Sequence, residues 1–173
     1  MAKLYIYDRR DLSSATETQF FHEARAKRTN KEVDTNMPMD ARLGFPVKIK
    51  RIVVQLPSVV VSTSTAADST AASNLRTLVD EGVIQLQIGE GTTYYFPLSL
   101  ALGRAAVTGD LEYTQGTAAD ASYGIVSAQS VDGSYGIEVD IDWPAEQTIK
   151  FYIKTATAVT LSNVRAILEV ETA

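Results

Sequence analysis

Ile137-Glu138-Val139-Asp140-Ile141-Asp142-Trp143 alternates apolar and acidic residues without a break until Pro144. A period of two sets Ile137, Val139 and Ile141 on one face of an extended chain and the three carboxylates on the other, which is the pattern of a half-buried β-strand. The same period returns in Ile149, Phe151 and Ile153 against Lys150 and Lys154. It returns again in Val164, Ala166, Leu168 and Val170 of a terminal strand that runs into Val-Glu-Thr-Ala.

Working outward, Ile84, Leu86 and Ile88 alternate with Gln85 and Gln87, and Gly89-Glu90-Gly91 turns the chain into 92–96 as a hairpin. After Pro46, Val47 and Ile49 alternate with Lys48 and Lys50, and the run continues over 52–56 until Pro57 stops it. Residues 59–65 form a second run of branched residues and serine. Ser-Tyr-Gly-Ile occurs at 122–125 and 134–137 around Asp132-Gly133, which fits a hairpin with matching arms. Leu4-Tyr5-Ile6-Tyr7 reads as a short strand.

Helix signals are sparse. Ser14-Ala15-Thr16-Glu17 fits a capping box and predicts a helix over 14–29, with Phe20, Ala24 and Lys27 on one face and Phe21, Arg25 and Arg28 on another. Leu75, Leu78 and Val79 predict a short helix closed by Gly82, after an Ala/Ser/Thr-rich surface loop over 65–74. Residues 98–103 suit one helical turn. The segment 30–46, punctuated by Pro38, Gly44 and Pro46, reads as an extended arm. Eight to nine short strands about ten residues apart argue for an all-β sandwich or barrel, and at this length for a single jelly roll. The expected organisation is a strand, basic helix and arm over 1–46 and a jelly-roll barrel over 47–173, forming one domain.

Composition narrows the chemistry. The 173 residues include no cysteine, so disulfide scaffolds, thiolate metal sites and cysteine nucleophiles are excluded. Three Met and four Asn hint at a hot habitat. The apolar run 4–7 is too short for a secretory signal, and no stretch approaches the roughly 20 apolar residues of a transmembrane helix, so the expectation is a protein made and used in a cytoplasm or released from it by lysis.

No cluster announces a reaction. Glu138, Asp140 and Asp142 share a strand face, but about 7 Å separates each from the next, too far for one ion to gather all three. His22 is the only histidine, without a Gly-x-Ser-x-Gly elbow or a second histidine at zinc-protease spacing. Gly89 and Gly91 lack the third glycine of a dinucleotide fingerprint. The reading therefore nominates no catalytic residue, no cofactor and no metal, and expects a non-enzyme. Tyr94, Tyr95, Phe96 and Trp143 supply the alternative, a stacking platform for sugars on a carbohydrate-binding β-sandwich module.

Charge is divided along the chain: residues 1–51 carry a net +4 and residues 52–173 a net −9. Arg25, Lys27, Arg28, Lys31, Lys48, Lys50 and Arg51 form a basic set suited to an anionic surface. At about 1 kcal/mol per basic residue near anionic lipid, one copy attaches reversibly and an array attaches firmly. The acidic strand face of a neighbouring subunit is the competing partner.

This whole-chain order, a short first strand, a basic helix and arm, then strands ending in Val-Glu-Thr-Ala, resembles viral single jelly-roll capsid proteins. It is similar in particular to the smaller major capsid protein of tailless icosahedral Thermus phages with an internal membrane. The resemblance implies a structural subunit of an icosahedral virion, made in the host cytoplasm, that associates with itself as a dimer or higher oligomer and with a larger major capsid protein. It implies an internal lipid membrane as a further partner, with neither direct DNA binding nor a small-molecule substrate. The strands bearing Leu4, Tyr5, Ile6 and Tyr7, and Val164, Leu168 and Val170, are the natural candidates for exchange between subunits.

Overall fold

A single strand of 24 residues, β8 (Ile149–Thr172), organises the sheet. The computed structural model describes residues 1–57, 66–102, 105–108, 126–128 and 136–172, with backbone alone for 66–72, 105–108 and 126–128. Along one edge of β8 runs β1 (Lys3–Phe20), antiparallel from the pair Lys3–Glu171 to the pair Phe20–Phe151. The other edge is shared. β2 (Val47–Gln55) pairs with its C-terminal part from Arg165 to Thr172, and β3 (Val83–Ile88) with its N-terminal part from Ile149 to Lys154. β7 (Ile137–Trp143) flanks β2, and β4 (Thr93–Pro97) flanks β3. The result is a mostly β chain whose six-stranded antiparallel sheet curls into a half-barrel. β5 (Ala105–Thr108) and β6 (Val126–Ala128) form a separate antiparallel pair.

The period of two explains β2, β3, β7 and β8, and the hairpin at Gly89–Gly91 joins β3 to β4 as expected. The two alternating runs at 149–154 and 164–171 belong to one continuous strand. Its inward residues are odd-numbered through Leu161 and even-numbered from Val164. The change of face falls at Asn163, which has φ 60°, where β1 shifts register between Arg10 and Leu12. One extra residue on β8 makes a bulge that keeps the apolar side chains turned inward on both halves. Asparagine tolerates that left-handed conformation better than most residues.

The expected helix over 14–29 is replaced by the second half of β1 and a short 3-10 turn at Arg25–Lys27. Phe20 and Phe21 are fully buried, edge-on to Phe151 at centroid distances of 5.9 and 5.3 Å. Pairing with β8 buries both rings, which a thinly apolar helix would leave partly in water. Residues 30–46 are not an extended arm either. They carry a 3-10 turn at Lys31–Val33 and fold back so that Met37, Ala41 and Leu43 join the same core as β1 and β8. β1 belongs to the sheet, and Phe21, Met37, Ala41 and Leu43 of the segment after it pack into the same core.

The loop expected over 65–74 is instead the first part of α1 (Ala66–Glu81). Alanine is the strongest helix former, so an Ala-rich, Pro-free run propagates readily once Leu75 and Leu78 are buried. α2 (Leu98–Ala101) is the expected single turn, with Leu98 and Ala101 buried. The strand predicted over 59–65 and the hairpin around Asp132-Gly133 lie outside the described residues.

Gly82 closes α1 where the chain passes tightly into β3. A Cβ there would lie 2.3 Å from the Leu78 carbonyl oxygen and 2.6 Å from Leu98 Cδ2. Backbone cannot yield as a flexible side chain can, so Gly82→Ala is expected to destabilise the protein by about 1–3 kcal/mol, read as a lowered urea midpoint.

Candidate interaction surfaces

The segment after β1 is strapped to that strand by backbone and carboxylates. Arg9 N donates to Asp34 O at 2.7 Å, and Asn36 N donates to Tyr7 O at 3.4 Å. The Asn36 side chain accepts from Tyr7 N at 2.9 Å and donates to Tyr5 O at 2.7 Å. Residues 34–36 thus occupy the outer edge of β1 between Tyr5 and Arg9, satisfying groups that an edge strand would otherwise present.

Asp8 anchors the strap from the inside. It takes an inward position after Leu4 and Ile6, and it is fully buried. Its carboxylate accepts from Phe21 N at 2.8 Å and Arg10 Nε at 2.9 Å, and lies 3.4 Å from Arg28 Nη1. Burial pushes its pKa up, and the Arg10 charge, the Phe21 N–H and Arg28 oppose that rise. Arg28, 11% exposed in its side chain, also donates to Arg9 O at 2.5 Å and sits 3.6 Å from Asp34. Glu23 completes the cluster, 3.0 Å from Arg10 Nη1.

Asp34 shows the opposite balance. Burial raises its pKa, but hydrogen bonds from Arg9 at 2.8 Å and Asn30 N at 3.0 Å, with the Arg28 charge, outweigh it and hold the carboxyl below the usual 3.8. A depressed folded pKa contributes stability that is present above the unfolded value and is lost as pH falls through the folded one. Asp8, with its raised pKa, works in the other direction. Wild-type stability attributable to Asp34 is therefore expected to fall below about pH 4, and Asp34→Asn to flatten that acid limb in urea melts across pH.

The nominated basic residues divide into those already paired and those that face out. On the sheet surface, Lys48 and Lys50 both reach Asp140, at 3.4 and 2.6 Å, and Lys48 also lies 3.6 Å from Asp142. Arg51 sits 3.1 Å from Glu138 and 3.6 Å from Glu169. The strand register causes this, because Lys48 stands opposite Asp142 and Arg51 opposite Glu138 in the β2–β7 ladder. The Lys50 hydrogen bond first, then the Lys48 contacts, lower the Asp140 pKa. Lys27 bonds Asp40, and Arg28 belongs to the Asp8 cluster. Arg25 and Lys31 are exposed and make no ion pair among the described residues. Much of the basic leading segment thus meets acidic groups of its own chain.

Of the residues nominated for exchange, Leu4, Tyr5, Ile6 and Tyr7 lie on β1 opposite Val170, Glu169, Leu168 and Ile167 of the same chain. Val164, Leu168 and Val170 are fully buried on the central strand, and Leu168 and Val170 also pair with β2 on its other side. Exposed aromatic surface lies toward the lateral edges: Tyr5 on β1 is 56% exposed and Tyr95 on β4 64%. Tyr94 stacks on Phe96 at 6.3 Å on the opposite face of β4. Trp143 is no part of a sugar platform, since it is fully buried with its indole N–H donating to Gln147 O at 2.9 Å.

His22 lies 3.9 Å from Glu23, and burial followed by the Arg10 charge lowers its pKa, favouring the neutral imidazole. Among the described residues no group of acids and histidines has metal-binding geometry, and no helix is long and apolar enough to cross a membrane. Sequence reading missed Asp8, Asp34 and Arg165. Asp8 had a signal in its parity with Leu4 and Ile6, whereas Asp34 and Arg165 are defined by residues distant in sequence. Compared with known proteins, the chain significantly matches no family model, no curated protein and no solved structure.

Proposed function

We propose that this chain is a structural subunit of an icosahedral viral shell, a single jelly roll that assembles with itself and with a larger capsid protein over a lipid membrane. The carrying observation is the placement of exposed aromatics on two different lateral edges, Tyr5 on β1 and Tyr95 on β4. Two unlike edges can make heterologous contacts, and such contacts tile a surface where a single self-complementary patch stops at a dimer. The adjacency of the first strand to the last, with β2 and β7 beyond, supports a Greek-key roll. Arg25 and Lys31, exposed near the strap, supply the charge for anionic headgroups.

Two measurements on the purified protein test this reading. Sedimentation velocity over a concentration series is expected to show a dimer or larger species that grows with concentration. Co-sedimentation with phosphatidylserine vesicles is expected to weaken with salt and with Arg25→Ala/Lys31→Ala together. A strict monomer that ignores such vesicles and binds a glycan array through Tyr95 would replace the shell reading with the carbohydrate module.

A further inference from the structure

The outer face of the sheet holds a groove of about 570 Å³ between β1, β8, β2 and the turn that bears Glu32 and Val33. Its floor follows three cross-strand rows, Tyr5–Glu169–Arg51, Tyr7–Ile167–Val53 and Arg9–Arg165–Gln55, of which all but Arg9 line the groove. In the first row Glu169 is satisfied by Lys3 at 3.0 Å and Arg51 at 3.6 Å. In the third row Arg9 is taken by Asp34 at 2.8 Å.

Arg165 is the exception. It is half-buried, its guanidinium carbon lies 5.7 Å from the Tyr7 ring centroid, and its Nε is buried without a hydrogen-bond partner. Among the described residues it meets no carboxylate. The Tyr7 ring beneath it is fixed, because its hydroxyl donates to Glu32 O at 2.6 Å. A partly desolvated guanidinium without an anion is costly; its buried Nε lies out of a ligand's reach, but an arriving carboxylate would make a strong charge-assisted bond with the Nη groups. Next along the same face, about 7 Å away, Ile167 lies between Tyr7 and Val53 as an apolar step.

We propose that this groove binds an acidic, extended peptide segment of a partner protein, read as a Glu or Asp followed two residues later by an apolar side chain. The carboxylate meets Arg165, and the apolar group lies against Ile167 and Val53. The i, i+2 spacing of an extended peptide matches that of Arg165 and Ile167 on β8. The groove volume falls in the range of ligand sites. Two carboxylates line the groove: Glu169 is neutralised by Lys3 and Arg51, whereas Glu32 at the rim opposes an acidic ligand and gives the proposal a test of opposite sign. This inference does not rest on the shell reading, but the two share Tyr5, which lines the groove and is also an assembly residue there.

The test is a titration of the ¹⁵N-labelled full chain with acetyl-Thr-Glu-Thr-Val-Thr-amide, followed through the amide shifts of β1, β2 and β8. Shifts confined to the groove are expected, with affinity at least about tenfold weaker for the Gln-containing peptide and for Arg165→Met, since one charged bond is lost. Glu32→Gln is expected to tighten binding. Should Arg165→Met fail to fold, Arg165→Lys and the Gln peptide carry the comparison. No shifts up to about 10 mM peptide would overturn the proposal. So would equal affinity for the Glu and Gln peptides, or binding of hexanoate without binding of the peptide.

Discussion

Phe151→Ala is expected to cost about 3–5 kcal/mol, the range for removing a large aromatic from a closed core. Phe151 is fully buried on the central strand and touches Phe20 and Phe21 edge-on, one from the end of β1 and one from the start of the strap. It stands opposite Leu86 of β3 and Phe20 of β1, so one side chain ties three segments together. Truncation loses the transfer free energy, leaves a cavity and removes two aromatic pairs worth about 0.5–1.5 kcal/mol each beyond their area. Urea unfolding should show the loss. Phe151→Leu, which retains most of the volume, should recover more than half of it. Equal losses for the two variants would show that Phe151 is not a packed centre.

Asp8→Ala is expected to be of similar size, about 3–5 kcal/mol, for a different reason. The substitution removes the one carboxylate on which the largely desolvated Arg10 and Arg28 guanidinium groups and the Phe21 N–H converge. Among the described residues this leaves the N–H unpaired, Arg10 with Glu23 alone and Arg28 with Arg9 O, Glu23 and Asp34. The damage should concentrate in the strap, so limited proteolysis should cut faster between residues 22 and 43 while β7 and the second half of β8 stay protected. Asp8→Asn keeps an acceptor for Phe21 N–H but loses the charge, and should fall between wild type and Asp8→Ala. A uniform rise in proteolysis across the chain would instead make Asp8 a contributor to global stability alone.

Phe151 sits on a strand that the sequence shows plainly, but its partners Phe20 and Phe21, and Asp8 with its arginines, lie in the part of the chain that sequence reading placed least well. The period of two located β2, β3, β7 and both halves of β8, because each strand has one wet and one dry face. The second half of β1 escaped it: Phe20, Phe21 and Ala24 also fit helical spacing, and Ser14-x-x-Glu17 looks like a helix start. Long-range pairing with β8 outweighed those local signals. The beginning of α1 was hidden by a Ser/Thr-rich composition that suits a loop as well as a helix.

The charge division along the chain was legible, but its meaning depended on register. Lys50 and Asp140 are 90 residues apart and bond at 2.6 Å only because β2 and β7 are neighbours. The same holds for Arg165, whose neighbours Arg9 and Gln55 come from other strands. Its isolation emerges only once three strands are aligned.

Light scattering of the wild type beside Tyr5→Lys and Tyr95→Lys tests most directly whether the two lateral edges carry assembly. Both side chains are exposed, so neither change should move the urea midpoint by more than about 0.5 kcal/mol equivalent. The account predicts a wild-type mass above the 18.8 kDa monomer that rises with concentration, and a lower mass for each variant. A wild-type monomer throughout, or variants with the wild-type mass, would contradict it.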